Sequence, residues 1–365
     1  MFKPDGADNL LMIPGPTPVA PEIRAALSEP TIAHTSAGLA EIIQRCRRGI
    51  RRVAGGEKSE VFLFAGSGTL AQEAAIVNLV APGERLLVVS HGYFGDRFQQ
   101  IANAYGIPVD RIAANPGESV TPGSLDEILG STGSSTVTLT QVDTATGVAA
   151  PLGELVAVVK RHGALAIVDA VCSLGGMPVE MDDLGIDLLL SGAQKALGVP
   201  PGLVILAASD AAMVRRRSIE QVPAYYVDLL NWQASMDDPK QYFSTHAVNL
   251  FYALDVALQR IQDEGIEARF TRHVEMATTF RTAMADLGFN PLTKSEVLAP
   301  TLSVLEYPSG VDDQAFRDRL ANRGVVAAGC LGAWKGRGVR FGHMGNMTSS
   351  DIETGLRAVE AVVRA

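Results

Sequence analysis

The chain has 365 residues, 47% of them hydrophobic and 19% charged, with 31 basic and 40 acidic side chains and a formal net charge of −9. So much apolar surface supports a sizeable core, argues against disorder and suits one large domain accompanied by a smaller one. The acidic balance disfavours nucleic acid as a partner, because the only dense cationic run, Arg45–Arg52, reads as the solvated face of one helix.

Three scattered cysteines, Cys46, Cys172 and Cys330, give neither a disulfide framework nor zinc-ligand spacing and fit a reducing cytoplasm. The opening MFKPDGADNL has no apolar core of the kind an export signal needs. From Val61 onward, short apolar runs alternate with helical patterns. The runs are Val61–Phe64, Arg85–Ser90, Thr136–Gln141, Ala164–Val168, Asp187–Leu190 and Gly202–Ala207, with helices from about Thr69, from about Tyr93 and over Leu152–His162. Runs that are apolar throughout indicate a mostly parallel sheet covered by helices on both faces, with ligands expected beyond the carboxyl ends of its strands. The stretch Leu188–Ser209, with a single charge, is long enough to span a bilayer. Its glycines, Pro200-Pro201 and central Lys195 make it a buried strand, loop and strand instead, so no membrane is expected. After Ala247 the pattern changes to helices reaching Glu264 and Leu287. A smaller α+β set follows, with strands Thr301–Leu305 and Val339–Gly342, a helix over Asp312–Asn322 and a last helix from Ser349. The expected division is an N-terminal segment over 1–14, a large domain over 15–255 and a small C-terminal domain over 256–365.

Three features stand at the ends of the predicted strands. Ala65-Gly66-Ser67-Gly68-Thr69 leaves backbone N–H groups and a helix N-terminus free to meet a phosphate, or is simply a tight turn. A nicotinamide cofactor is disfavoured, because the next strand ends in Ser90-His91 with no acid for a ribose. Asp169 closes an apolar strand, where it either caps the following turn or pairs with a cation such as a protonated ring nitrogen; no cluster with metal-ligand spacing surrounds it. Lys195 is the only charged residue between Asp187 and Asp210 and one of only seven lysines. It either snorkels from a strand end or sits desolvated as the neutral amine that attacks a carbonyl. Together, a phosphate cradle, a carboxylate and a desolvated lysine are what pyridoxal 5′-phosphate requires.

With these residues the chain resembles the class V aminotransferases of the fold-type I pyridoxal-phosphate superfamily, most closely the alanine/serine–glyoxylate aminotransferases. The motifs run through nearly the whole chain in the family's order: IPGPTPV at Ile13–Val19, AGSGT at Ala65–Thr69, HGYFGDRF at His91–Phe98, DTATG at Asp143–Gly147, VDAVCSLGG at Val168–Gly176, SGAQKALGVPPG at Ser191–Gly202 and VRFGHMG at Val339–Gly345. The resemblance implies that Lys195 forms the Schiff base with the cofactor and shuttles a proton, and that Asp169 pairs with the pyridine nitrogen. It places Ser67, Gly68, Thr69 and Gln194 at the phosphate, Thr144 near the ring's phenolic oxygen and Phe94 stacked on the ring. Arg340 grips the substrate carboxylate, and Gly15 offers backbone beside the substrate. Tyr242-Phe-Ser-Thr245 resembles the family's Tyr-x-x-Thr, which implies a homodimer in which Tyr242 and Thr245 reach the partner's cofactor; Thr245 could equally cap the next helix.

The implied activity is transfer of an amino group from serine or alanine to glyoxylate or pyruvate by ping-pong chemistry. The alternatives are 2-aminoethylphosphonate–pyruvate transamination, and a lyase such as a cysteine desulfurase using Cys330 as a loop thiolate. A non-catalytic relative would be expected to lose Lys195 or Arg340, and both are present. Two departures bear on the substrate: His34-Thr35-Ser36 stands where relatives often read His-Arg-Ser, and Asp143 begins a segment that more often begins with Glu.

Overall fold

The computed structural model describes residues 6 and 8–364, so most of the opening stretch on which the export reading rests lies outside the described residues. The apolar runs assemble into one seven-stranded sheet: β1 (Glu60–Gly66), β2 (Leu86–Ser90), β3 (Val109–Ala113), β4 (Thr136–Thr140), β5 (Leu165–Asp169), β6 (Leu188–Gly192) and β7 (Gly202–Ala208). Their order across the sheet is β1-β7-β6-β5-β4-β2-β3, and all run parallel except β7, which is antiparallel to both neighbours. Every residue of β2, β4 and β6 is buried, because helices such as Gly68–Leu79 and Tyr93–Ala104 pack against the sheet. The fold is α/β with a mostly parallel central sheet.

This topology sets the site. The carboxyl ends of β1, β2, β4, β5 and β6 open onto one edge, and the loop from β6 to β7 carries Lys195 along it. Asp169 ends β5 in register with Thr140 on one side and Leu190 on the other.

Helices Val248–Glu264 and Ile266–Asp286 lead to a second, antiparallel sheet of β8 (Asn290–Pro291), β9 (Leu302–Glu306), β10 (Ala328–Gly329) and β11 (Gly338–Gly342), ordered β8-β9-β11-β10. It has a core of its own, in which Phe280, Phe316 and Phe341 are packed. Met12 belongs to that core, and Leu10–Leu11 pairs in parallel with Val325–Val326. The N-terminal residues are thereby stitched to the C-terminal sheet, and they bring Pro14 and Gly15 across to Lys195.

One expectation is corrected. The cationic run lies on helix Ala37–Ala54, but it is not simply a solvated face. Arg47 is only 4% exposed, donates to the Met236 carbonyl (3.0 Å) and pairs with Asp237 (2.7 Å), because its side of the helix packs against helix Leu229–Asp237. Arg45 pairs with Asp255 at 2.6 Å.

Candidate active site

Lys195 sits in a loop whose backbone is held from several directions. Thr17 Oγ1 donates to its carbonyl (2.8 Å), and Arg269 Nη2 donates to that of Ala196 (2.6 Å). Its side chain enters a cavity of about 140 Å³ at the carboxyl edge of the sheet, lined by Ser67, Gly68, Thr69, Phe94, Thr144, Asp169 and Gln194, with Gln72, Arg97, Val142 and Val171 completing the wall. Burial lowers the pKa of Lys195 and the charge of Arg340 lowers it further, against the opposing pull of Cys172 and Asp169. The amine donates to the Pro14 carbonyl (2.5 Å) and has no carboxylate within salt-bridge distance among the described residues. Gly15 has φ +129°, and a Cβ there would fall 2.7 Å from Lys195 Nζ. Only glycine lets this backbone pass so close to the amine.

Ser67 is the N-cap of helix Gly68–Leu79 yet makes no side-chain capping bond, so its hydroxyl and the first N–H groups of the helix stay available at the cavity. Gln194 lies against this turn, and its buried Oε1 has no hydrogen-bond partner. A Cβ on Gly192 would meet that oxygen at 2.8 Å and lie 3.4 Å from the Gly68 nitrogen. The free Ser67 hydroxyl and helix N–H groups are neutral donors of the kind a phosphate takes, whereas the orphaned Gln194 Oε1 is an acceptor, so Gln194 joins that set only with its Nε2 turned toward the anion.

Asp169 takes the capping role. One oxygen accepts from the Val171 N–H (2.9 Å) and so caps the turn, and the other faces the cavity and accepts from Gln72 Nε2 (2.8 Å). Burial pushes its pKa up to about 6 against the pull of those two bonds, because Lys195 offsets little of the cost of the buried charge. Gln72 also donates to the Phe94 carbonyl (3.1 Å), tying the carboxylate to the aromatic. Sequence reasoning missed Gln72. The signal available was a polar side chain next to Ala71 and close to Ala74 and Ala75 on a helix whose neighbouring positions are mostly small and apolar.

Phe94 is the second residue of helix Tyr93–Ala104, and its N–H and that of Gly95 donate to Asp143 Oδ2 (2.8 and 3.2 Å). Asp143, which stands where Glu is more common, is therefore a fully buried cap on a helix from another part of the sequence; burial raises its pKa and these backbone bonds oppose the rise. Thr144 lines the cavity, and its carbonyl accepts from Arg340 Nη1 (3.0 Å) while the Gly329 carbonyl accepts from Arg340 Nε (2.9 Å). Arg340 does not line the cavity itself, although its charge reaches Lys195. Among the described residues it has no carboxylate partner.

Tyr242 and Thr245 are not brought to this cavity within one chain. Tyr242 is 60% exposed with its hydroxyl 3.3 Å from Thr245 Oγ1, and helix Val248–Glu264 is preceded by Ala247 with no side-chain cap, so Thr245 does not cap it. Cys330 is 4% exposed and burial pushes its thiol up to about 12, which leaves no reactive thiolate. His343 is buried with Nε2 2.9 Å from Ser303 Oγ.

Residues 24–333 match the family described as aminotransferase class-V. The chain belongs to that family. It is similar to an uncharacterised aminotransferase of Methanocaldococcus jannaschii, 35% identical over 100% of this chain and 94% of the relative. It is likewise similar to alanine–glyoxylate aminotransferase 1 of Saccharomyces cerevisiae, 35% identical over 92% of each chain. The crystal structure of an alanine–glyoxylate aminotransferase from a Nostoc species superposes with a TM-score of 0.95 at 30% identity, covering 100% of this chain and 97% of that one. Class V aminotransferases use pyridoxal 5′-phosphate, and the uncapped turn at Ser67 with its free N–H groups and the buried Asp169 fit that group. In this class V aminotransferase, the strand-end residues Ser67, Gly68, Thr69, Phe94, Thr144, Asp169, Gln194 and Lys195 share one cavity wall.

Proposed function

We propose that this class V aminotransferase holds pyridoxal 5′-phosphate in the Lys195 cavity and moves an amino group from a small amino acid, serine or alanine, to glyoxylate or pyruvate. The observation that carries the reading is Lys195: a buried amine with its pKa lowered and no acid partner among the described residues, in a cavity that also holds the uncapped Ser67 turn and the Asp169 carboxylate. Similarity to alanine–glyoxylate aminotransferases supports the substrate pair.

In this reading Ser67, the Gly68 and Thr69 N–H groups and Gln194 hold the phosphate, Phe94 packs on the ring and Asp169 accepts from the ring N–H. When bound, the cofactor supplies a ring that takes up the electrons of the bond broken at the substrate Cα. Arg340 pairs with the α-carboxylate through its planar fork, which orients the Cα–H toward Lys195. Lys195 Nζ, as the neutral amine, takes the Cα proton and returns it in the step that completes each half-reaction. The Pro14 carbonyl and Gly15 backbone keep that amine aimed along one wall. Tyr242 and Thr245, exposed and away from their own cavity, suit a role at the phosphate of a second copy in a homodimer.

The test is the visible absorption of the cofactor-loaded protein on separate addition of L-serine, L-alanine and 2-aminoethylphosphonate. Bleaching of the yellow band by serine or alanine, with recovery on adding glyoxylate or pyruvate, is the expected result. Bleaching by the aminophosphonate alone contradicts the assigned donor, and a band that none of the three changes contradicts the assigned substrate class.

A further inference from the structure

We propose that Arg97, which none of the family motif assignments uses, is the counter-ion of the cofactor phosphate and governs how tightly the cofactor is retained. The inference rests on the reading of the Lys195 cavity as a pyridoxal-phosphate site.

A phosphate ester carries between one and two negative charges at neutral pH. The side chains gathered at that end of the cavity, Ser67, Thr69 and Gln194, are neutral, and a helix N-terminus offers only about half a positive charge. Two cations line the cavity. Lys195 is committed to the opposite role, since its function needs the neutral amine and it already donates to the Pro14 carbonyl. That leaves Arg97.

Its placement matches the task. Arg97 follows Phe94 by one helical turn on helix Tyr93–Ala104, so the two share a face. Its guanidinium lies 4.8 Å from the centre of the Phe94 ring and 5.0 Å from that of Tyr93, and Nη1 donates to Thr69 Oγ1 (2.9 Å). The fork is thus anchored on the phosphate turn by one nitrogen and steadied by two aromatic faces, with its other donors unpartnered among the described residues. No carboxylate lies within salt-bridge distance of it among the described residues. The adjacent acid, Asp96, is occupied elsewhere: it pairs with Arg111 at 2.6 Å and accepts from Ser90 Oγ at 2.7 Å. A half-buried arginine beside a nest of neutral donors, with the acid next to it already paired, is poised for an anion supplied from outside the chain.

The experiment measures dissociation constants rather than turnover, by titrating the apo-protein with pyridoxal 5′-phosphate and with pyridoxal, which lacks the phosphate. The variants are Arg97→Gln and Arg97→Lys, each first checked by circular dichroism and thermal melting. Arg97→Gln is expected to weaken the phosphate-bearing ligand by about ten- to a hundredfold and to leave pyridoxal within about twofold. Arg97→Lys, which keeps the charge and loses the fork, is expected to fall between, and it carries the test alone if the glutamine variant does not fold. The preference for the phosphate form should also decline more steeply with added salt in the wild type than in Arg97→Gln. Equal weakening of both ligands overturns the proposal, because it shows Arg97 acting only through the packing of Phe94 and Thr69. Unchanged affinity for both overturns it as well. A wild-type protein that binds neither ligand overturns the reading of the cavity and this inference with it, a failure plainly different from the other two.

Discussion

The two sides of the Lys195 loop treat their cations in opposite ways. On the side turned toward the C-terminal helices, Arg269 is 2% exposed and fully engaged: it donates to the carbonyls of Gly175 (2.9 Å) and Ala196 (2.6 Å) and pairs with Glu264 (2.6 Å). Arg272 joins the same carboxylate and donates to the carbonyls of Met347 (2.7 Å) and Gly345 (3.1 Å). On the cavity side, Lys195, Arg340 and Arg97 are only partly engaged and none has a carboxylate partner among the described residues. A buried charge is costly unless it is paired. On the first side the protein supplies a carboxylate and the cations fasten structure; on the cavity side it supplies none, which is the difference the proposed ligand roles of Lys195, Arg340 and Arg97 rest on.

The largest effect should come from the cavity side. Lys195→Ala is expected to lower transamination by at least about 10²- to 10⁴-fold, measured by single-turnover bleaching with L-alanine, while the melting temperature stays near that of the wild type. The comparison is sharpened by a matched pair, Arg269→Met and Arg340→Met. The first frees the buried Gly175 and Ala196 carbonyls and leaves Glu264 to Arg272, and should cost about 2–4 kcal/mol in denaturant unfolding. The second frees the Thr144 and Gly329 carbonyls but no carboxylate, so it should cost less, about 1–2 kcal/mol, and should also raise the KM for amino acids. An equal loss of stability in both would erase the distinction between the two sides.

A smaller effect is expected from pH. Burial raises the Asp169 pKa from its ordinary value to about 6 in the folded apo-protein, so stability that this group contributes at low pH is lost as pH rises through about 6. Asp169→Asn does not titrate there. Relative to the wild type, this variant should therefore gain stability between pH 4 and pH 8 by roughly 2–3 kcal/mol, read from paired unfolding curves. A bound ring N–H should remove most of that difference. The smallest effect belongs to Cys330→Ala, which should leave transamination within about twofold, because its thiol stays protonated in the core.

Much of this molecule is legible in its amino-acid sequence. Six of the seven strands of the large sheet announce themselves as apolar runs, since burial on both faces removes any need for alternation. The missing one, β3, is an edge strand that carries Asp110 and Arg111 and is half open to solvent, so it has no such run. The antiparallel direction of β7 is not legible, because composition carries no direction. Lys195 and Asp169 stand out as charges where an apolar stretch gives way to a loop. Gln72 and Asp143 do not reveal their tasks, because each acts on a residue from a distant part of the chain, Asp169 and Phe94 respectively. Arg97 reads as one more helix arginine, and only the pairing of its neighbours in space sets it apart.

The central claim is that Lys195, and no other lysine, is the point of attachment for the cofactor. Borohydride reduction of the pyridoxal-phosphate-loaded protein, followed by proteolysis and mass mapping, tests it directly. The account predicts a single stoichiometric phosphopyridoxyl label on the peptide containing Lys195. Label spread over exposed lysines such as Lys58 and Lys240, or a labelling pattern that Lys195→Ala leaves unchanged, would contradict it.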